Sequence, residues 1–198
     1  MKSNPRTLIL KNAQLATGKR SDITIVEDRI ASIGETPSAP TVTSSASVEV
    51  IDLQGKLVVP SFVDLHTHLR EPGKEDAETV ESGTAAAVKG GFGAVFAMPN
   101  TNPVADTAGV VEQVHALGVD AARCDVIPVG AVTRGQKGEQ LAEILAMATS
   151  RANVKVFSDD GHCVSDPLLM RRALEYVKIF DGVIAQHAQD PDLTRDAQ

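Results

Sequence analysis

The chain has 198 residues, of which 42% are hydrophobic, and a formal net charge of -7 at neutral pH. This length and composition suffice for one sizeable core, and the acidic balance gives no reason to expect a nucleic acid or an anionic membrane as partner. No apolar run reaches the ~20 residues of a membrane-spanning helix, and the start of the chain does not resemble a signal peptide. The two cysteines, Cys124 and Cys163, lack paired-motif spacing and suit a reducing, cytoplasmic location.

Residues 1–60 are predicted to form a small β-rich domain. Their apolar residues alternate with polar ones in short runs separated by turn residues, which is typical of half-buried strands. The predicted strands cover residues 7–10, 22–26, 29–34, 48–52 and 56–60. Residues 37–47 are rich in Ser, Thr, Ala and Pro and are expected to form an exposed loop.

Residues 61–198 show a different rhythm, in which short apolar runs alternate with segments of helical length. The predicted strands cover residues 62–65, 94–98, 126–131, 154–157 and 183–186. The predicted helices cover residues 75–89, 106–117, 139–150 and 166–180. Repeated strand–helix units indicate an α/β protein with a parallel sheet, either doubly wound or closed as a (β/α)8 barrel.

The positions of the polar residues favour the barrel. They follow several different strands: His66, His68, Asn100, Asp160 and His187. Barrel enzymes collect catalytic groups from many strand ends, whereas an open sheet concentrates them at one switch point. A whole barrel needs ~250 residues. We therefore predict an incomplete (β/α)8 barrel of about five βα units, truncated after the fifth strand, in a fragment or one piece of a split enzyme.

The first barrel strand carries the strongest chemical signal. His66 and His68 are two residues apart, so both imidazoles are expected on one face of the strand, together with Asp64. Imidazole is the commonest neutral metal ligand, although such a pair can also occur by chance on a buried strand. Arg70 would share this face if the strand persists, and its planar guanidinium suits a carboxylate partner. A salt bridge with Glu71 at the rim is the alternative for Arg70.

Four ordered segments resemble the motifs of bacterial class I dihydroorotases, which belong to the amidohydrolase superfamily. The segments are residues 62–73 (FVDLHTHLREPG), 90–92 with 98–104 (GGF and MPNTNPV), 157–161 (FSDDG) and 185–190 (AQHAQD). Two positions depart from the usual pattern: Gly93, where Thr is common, and Gln189, where Glu is more usual. The resemblance is collinear over essentially the whole chain.

The resemblance implies a binuclear zinc site. His66 and His68 would bind the first zinc, Asp160 would bridge both ions, and His187 would bind the second. Imidazole and carboxylate suit zinc, and two such cations sharing an anion generate hydroxide from water near neutral pH. Related hydantoinases bridge their metals with a carboxylated lysine, so Lys155 is the alternative bridge.

The resemblance also implies that His68, Arg70 and Asn100 contact the substrate. Turn formation before Pro103 is the alternative role of Asn100. Asp159 is expected to face away from the metals and to act as a supporting or loop-capping carboxylate.

The implied activity is that of a dihydroorotase, a hydrolase acting on cyclic amides. It interconverts N-carbamoyl-L-aspartate and (S)-dihydroorotate in de novo pyrimidine (UMP) synthesis. A further histidine ligand and the catalytic aspartate are expected beyond Gln198, so this chain alone is predicted to be inactive. The expected macromolecular partner is a second copy, an aspartate transcarbamoylase or a missing C-terminal half.

Three alternatives stay open at this point. The first is an allantoinase or hydantoinase, against which Arg70 and residues 98–101 argue. The second is a non-catalytic dihydroorotase-like subunit that binds a transcarbamoylase. The third is a structural fragment that binds no metal.

Overall fold

The structure is a computed structural model that describes residues 6–34 and 47–196. The chain groups into two compact units, Met1–Pro60 and Ser61–Gln198. The loop predicted for residues 37–47 lies outside the described residues except for Ser47, which begins a strand. No helix in the described ranges is long and apolar enough to cross a bilayer. The α/β class expected from the sequence is confirmed.

The first unit is a five-stranded sheet. Its strands are β1 (Arg6–Leu15), β2 (Arg20–Val26), β3 (Arg29–Gly34), β4 (Ser47–Asp52) and β5 (Leu57–Val58). The order is β3-β2-β1-β4, with β5 also paired to β1; β2 is antiparallel to its neighbours, whereas β4 and β5 run parallel to β1. Alternation along β1 and β2 buries Ile9, Ala13 and Ile23.

The second unit contains five parallel strands in chain order. They are β6 (Phe62–Thr67), β7 (Phe92–Ala97), β8 (Asp125–Pro128), β9 (Val156–Phe157) and β10 (Val183–Ile184). Strands β6, β7 and β8 form one parallel sheet, and β9 pairs with β10 in another. Among the described residues, a single backbone bridge between Gly130 and Phe157 joins the two sheets. The carboxyl ends of all five strands therefore lie at one edge.

Four α-helices connect these strands. They are α1 (Val80–Lys89), α2 (Ala108–Ala121), α3 (Ile144–Thr149) and α4 (Pro167–Val177). Helix α4 begins where the Asp166 carboxylate accepts hydrogen bonds from the Leu168 and Leu169 amides. Leu169, with Ala173 and Val177 one and two turns later, packs into the same buried cluster as Phe157. This burial holds α4 against β9.

Several element boundaries differ from the sequence prediction, and three of the differences have a clear physical cause. The helix predicted for residues 75–89 begins only at Val80, because Thr79 and Ser82 form a capping box there. The helix predicted for residues 139–150 is reduced to α3, and the chain before it forms a loop with a 3-10 turn at Arg134–Gln136. The strand predicted for residues 126–131 ends at Pro128, which has no N–H to donate to a neighbouring strand.

Candidate metal centre

Three side chains with metal-binding atoms meet at the carboxyl ends of β6 and β9. His66 lies in the last part of β6, His68 follows that strand, and Asp160 follows β9. One ligand atom from each of the three lies within 4.8 Å of the others. Asp160 is buried, His68 is half-buried and His66 is exposed, so the group opens to solvent on the His66 side.

Each oxygen of the Asp160 carboxylate faces a different imidazole. The distance from Oδ1 to His66 Nε2 is 3.1 Å, and the distance from Oδ2 to His68 Nε2 is 3.5 Å. The two imidazole rings meet edge to face, with centroids 5.2 Å apart. Two imidazole nitrogens and a carboxylate that can use both oxygens form a donor set that fits zinc.

His187 is not part of this three-residue group. It follows β10, is half-buried, and its Nε2 lies 3.3 Å from Gln189 Oε1. With Gly161, the residue after Asp160, it lines a cavity of about 490 Å³. The structure therefore brings three of the four predicted metal ligands together and leaves His187 on the wall of the neighbouring cavity.

Asn100 lies directly against the three-residue group. Its Oδ1 is 3.0 Å from His68 Nδ1, and its Nδ2 donates to Asp160 Oδ2 at 3.0 Å. The hydrogen bond to Pro103 O in the following turn comes from the Thr101 hydroxyl rather than from Asn100. Asn100 thus links two candidate ligands, an arrangement that the sequence did not suggest.

Arg70 does not continue the face of β6. The strand ends at Thr67, and Arg70 has a left-handed backbone with φ of 63°. Arg70 and Glu71 form no salt bridge in the described part of the chain, and the Glu71 carboxylate accepts the Val80 amide at 2.8 Å. Arg70 is half-buried, and within the described ranges its side chain has no hydrogen-bond or ion-pair partner.

Asp159 supports the loop that follows β8, as expected for a loop-capping carboxylate. It is fully buried and accepts hydrogen bonds from the Val132 amide at 2.8 Å, from the Thr133 amide at 3.0 Å and from the Thr133 hydroxyl. The same hydroxyl accepts the Gly138 amide at 2.9 Å. Burial raises the pKa of the Asp159 carboxyl, although these hydrogen bonds and nearby His162 act in the opposite direction.

Gln136 is a contact of the site that sequence reasoning missed. Its Nε2 donates to the backbone oxygen of Asp160 at 3.4 Å, and its backbone has φ of 56°. Glycines at 135 and 138 signal an irregular loop, but nothing in the sequence connects that loop to Asp160.

Lys155, the alternative bridging residue, lies away from the metal-binding group. It precedes β9, at the opposite end of the strand from Asp160. Its ammonium donates to Phe180 O at 3.1 Å and lies 5.5 Å from the centroid of the Phe180 ring. The donor atom is therefore occupied by a contact outside the site.

Comparison with known proteins identifies the family to which the chain belongs. A family profile described as dihydro-orotase-like matches residues 55–198. The chain is 60% identical to a dihydroorotase of Leifsonia xyli subsp. xyli, over 97% of this chain and 42% of that protein. It is 54% identical to a dihydroorotase of Streptomyces coelicolor, over 96% of this chain and 43% of that protein. The chain thus belongs to the dihydroorotase-like family, and it spans less than half the length of these curated relatives.

Two solved structures with a similar fold belong to enzymes with other names. The L-hydantoinase (dihydropyrimidinase) from Arthrobacter aurescens aligns with a TM-score of 0.59 and 25% identity over 76% of this chain and 32% of its own. The dihydropyrimidinase from Brevibacillus agri aligns with a TM-score of 0.68 and 18% identity over 94% of this chain and 41% of its own. The second likeness bears on the fold alone.

Proposed function

We propose that the protein carrying this sequence is a zinc-dependent dihydroorotase that interconverts N-carbamoyl-L-aspartate and (S)-dihydroorotate in pyrimidine synthesis. The observation that carries the proposal is the convergence of His66, His68 and Asp160 at one strand edge. Membership of the dihydroorotase-like family supports this reading of the group, and the curated relatives at 54–60% identity are named dihydroorotases.

The proposed architecture is the front part of a (β/α)8 barrel, residues 61–198, preceded by a small β domain, residues 1–60. Five parallel strands in chain order with intervening helices support the barrel. The candidate ligands come from the ends of different strands, as in barrel enzymes, rather than from one switch point.

We assign His66, His68 and Asp160 as zinc ligands, with Asp160 shared by two ions and His187 as a ligand of the second. Both oxygens of Asp160 face the histidines assigned to the first ion, which supports Asp160 as a ligand of that ion. Its sharing with a second ion is supported by the resemblance of residues 157–161 to the family motif. His187 and Gly161, the residue after Asp160, line the same cavity, which supports a place for His187 near the group. When bound, zinc supplies a Lewis acid that polarises an amide carbonyl and lowers the pKa of water.

Substrate recognition is assigned to His68, Arg70 and Asn100. The unpartnered guanidinium of Arg70 can bind a planar carboxylate through two parallel hydrogen bonds. Dihydroorotate carries a ring carboxylate, whereas dihydrouracil lacks it. This difference favours dihydroorotate over the uncharged rings of dihydropyrimidinases.

The test uses the protein produced from the complete coding sequence. Asp160→Asn keeps the shape of the side chain but removes the shared charge, so we expect the loss of at least one zinc per chain by elemental analysis. Lys155→Ala, at the opposite end of β9, is the control and is expected to keep the wild-type zinc content. Full zinc in Asp160→Asn, or loss of zinc in Lys155→Ala, would contradict the ligand assignment.

The same preparation distinguishes the alternative functions. Ring opening of dihydroorotate, with little turnover of dihydrouracil or a hydantoin, is the expected result. Preferential turnover of the uncharged rings would identify a hydantoinase instead. A protein that binds zinc but opens none of these rings would be a non-catalytic relative.

A further inference from the structure

We propose that Asn100 is a positioning residue that holds the ring proton of His68 on Nδ1 and thereby leaves the lone pair of Nε2 directed at the metal position. The tautomer assignment depends only on the hydrogen bonds of the site. Its consequence for zinc rests on the proposed function.

The first step is the orientation of the Asn100 amide, which Asp160 determines. An ionised carboxylate only accepts hydrogen bonds, and Asp160 Oδ2 lies 3.0 Å from Asn100 Nδ2. The reversed amide would place its oxygen at that distance from a carboxylate oxygen, which is repulsive. The side chain of Asp160 is only 9% exposed, so water screens this repulsion weakly.

The second step passes from the amide to the imidazole. With Nδ2 directed at Asp160, Oδ1 of Asn100 faces His68 Nδ1 at 3.0 Å. An amide oxygen cannot donate, so His68 Nδ1 must carry the proton. A neutral imidazole has one N–H, and the lone pair is therefore on Nε2.

The third step concerns the atoms that this tautomer leaves facing each other. His68 Nε2 and Asp160 Oδ2 are 3.5 Å apart, and in this tautomer both are acceptors. A cation held by both atoms would remove this unfavourable contact. Outer partners that fix the tautomer of a ligating histidine in this way raise metal affinity.

His66 provides an internal comparison. Its Nε2 also faces Asp160, at 3.1 Å, but its Nδ1 has no hydrogen-bond partner in the described part of the chain. The tautomer of His66 should therefore be independent of Asn100. A change at position 100 that altered both histidines alike would indicate a general disturbance of the site.

The experiment measures the tautomers directly in the metal-free protein from the complete coding sequence, labelled with ¹⁵N-histidine. Long-range ¹H–¹⁵N spectra at a pH where imidazole is neutral distinguish Nδ1–H from Nε2–H, and His66→Gln and His68→Gln assign the signals. We expect wild-type His68 to be Nδ1–H. Asn100→Leu should lose this preference at His68 alone, whereas Thr101→Val, the matched control next to it, should keep it. Wild-type His68 in the Nε2–H form would overturn the proposal without any variant.

A second measurement connects the tautomer to metal binding. Zn²⁺ affinity, determined by competition with a chromophoric chelator, should fall ~10- to 100-fold in Asn100→Leu and stay unchanged in Thr101→Val. Unchanged affinity together with a raised KM in Asn100→Leu would make Asn100 a substrate contact only, and would refute the positioning role. Nδ1–H at His68 in a protein that binds no Zn²⁺ would refute the proposed function but not the tautomer assignment.

Discussion

Replacing Thr133 by valine tests how Asp159 holds the loop beside the metal-binding group. Valine has nearly the same shape but no hydroxyl, and Thr133 is fully buried. The change removes a hydrogen bond to a carboxylate, worth ~1.5–3 kcal/mol, and leaves the Gly138 amide without its acceptor, at ~1–3 kcal/mol. The Gly138 amide is partly accessible to water, so we expect a combined loss of about 2–4 kcal/mol in the free energy of unfolding.

The assay is urea unfolding followed by circular dichroism, with hydrogen exchange of residues 131–138 as a local readout. Thr133→Ser is the control, because it keeps the hydroxyl and loses one methyl group, at ~1 kcal/mol. Valine should also speed exchange in this loop, since the carboxylate that accepts the amides of residues 132 and 133 loses the hydroxyl donor that helps to hold it. Equal stability of the valine and serine variants would refute the reasoning.

Three further predictions concern the substrate, a helix cap and the metal. Arg70→Met should lower kcat/KM for dihydroorotate by the equivalent of ~1.5–3 kcal/mol and leave kcat/KM for dihydrouracil nearly unchanged. Equal losses for the two substrates would count against a contact between Arg70 and the carboxylate. Asp166→Ala removes the cap of α4 and should cost ~1 kcal/mol in urea unfolding, while Asp192→Ala, an exposed pair with Arg195, should cost less. Removing metal with a chelator should lower the Tm, and adding Zn²⁺ at 100 times its Kd should restore ~2.7 kcal/mol of the free energy of unfolding. A Tm that does not change with zinc would argue against the site.

The regular elements were largely predictable because their signals are local. The parallel strands and α2 and α4 follow from apolar periodicity and from Asp166-Pro167 as a start signal. The start of α1 was missed because residues 75–79 have a helical pattern, whereas the Glu71 carboxylate and the Thr79 cap fix the first turn at Val80. That carboxylate reaches Val80 through a turn that periodicity does not encode.

The residues of the candidate site likewise differ in how far the sequence alone could predict their roles. The type and spacing of His66 and His68 indicated metal binding, whereas the metal role of Asp160 was implied by the resemblance of residues 157–161 to a family motif. The role of Asn100 between two ligands depends on its contact with Asp160, sixty positions away in the chain. The Gln136 contact likewise exists only because the loop after β8 folds over β9. Contacts between residues so far apart in the chain can be identified only from the tertiary structure.

Gly130 lies where the two sheets that supply the metal-binding residues are joined. It carries the backbone bridge between the two sheets, donating to Val156 O at 3.1 Å and accepting from the Ser158 amide at 2.9 Å. A side chain there would come within 2.9 Å of the Phe157 ring, so this seam tolerates no larger residue. The histidines come from one sheet and Asp160 from the other, and a bound cation would therefore act as a removable cross-link over the seam. Loss of that cation would leave the Gly130–Phe157 bridge as the backbone connection between the two sheets within the described ranges.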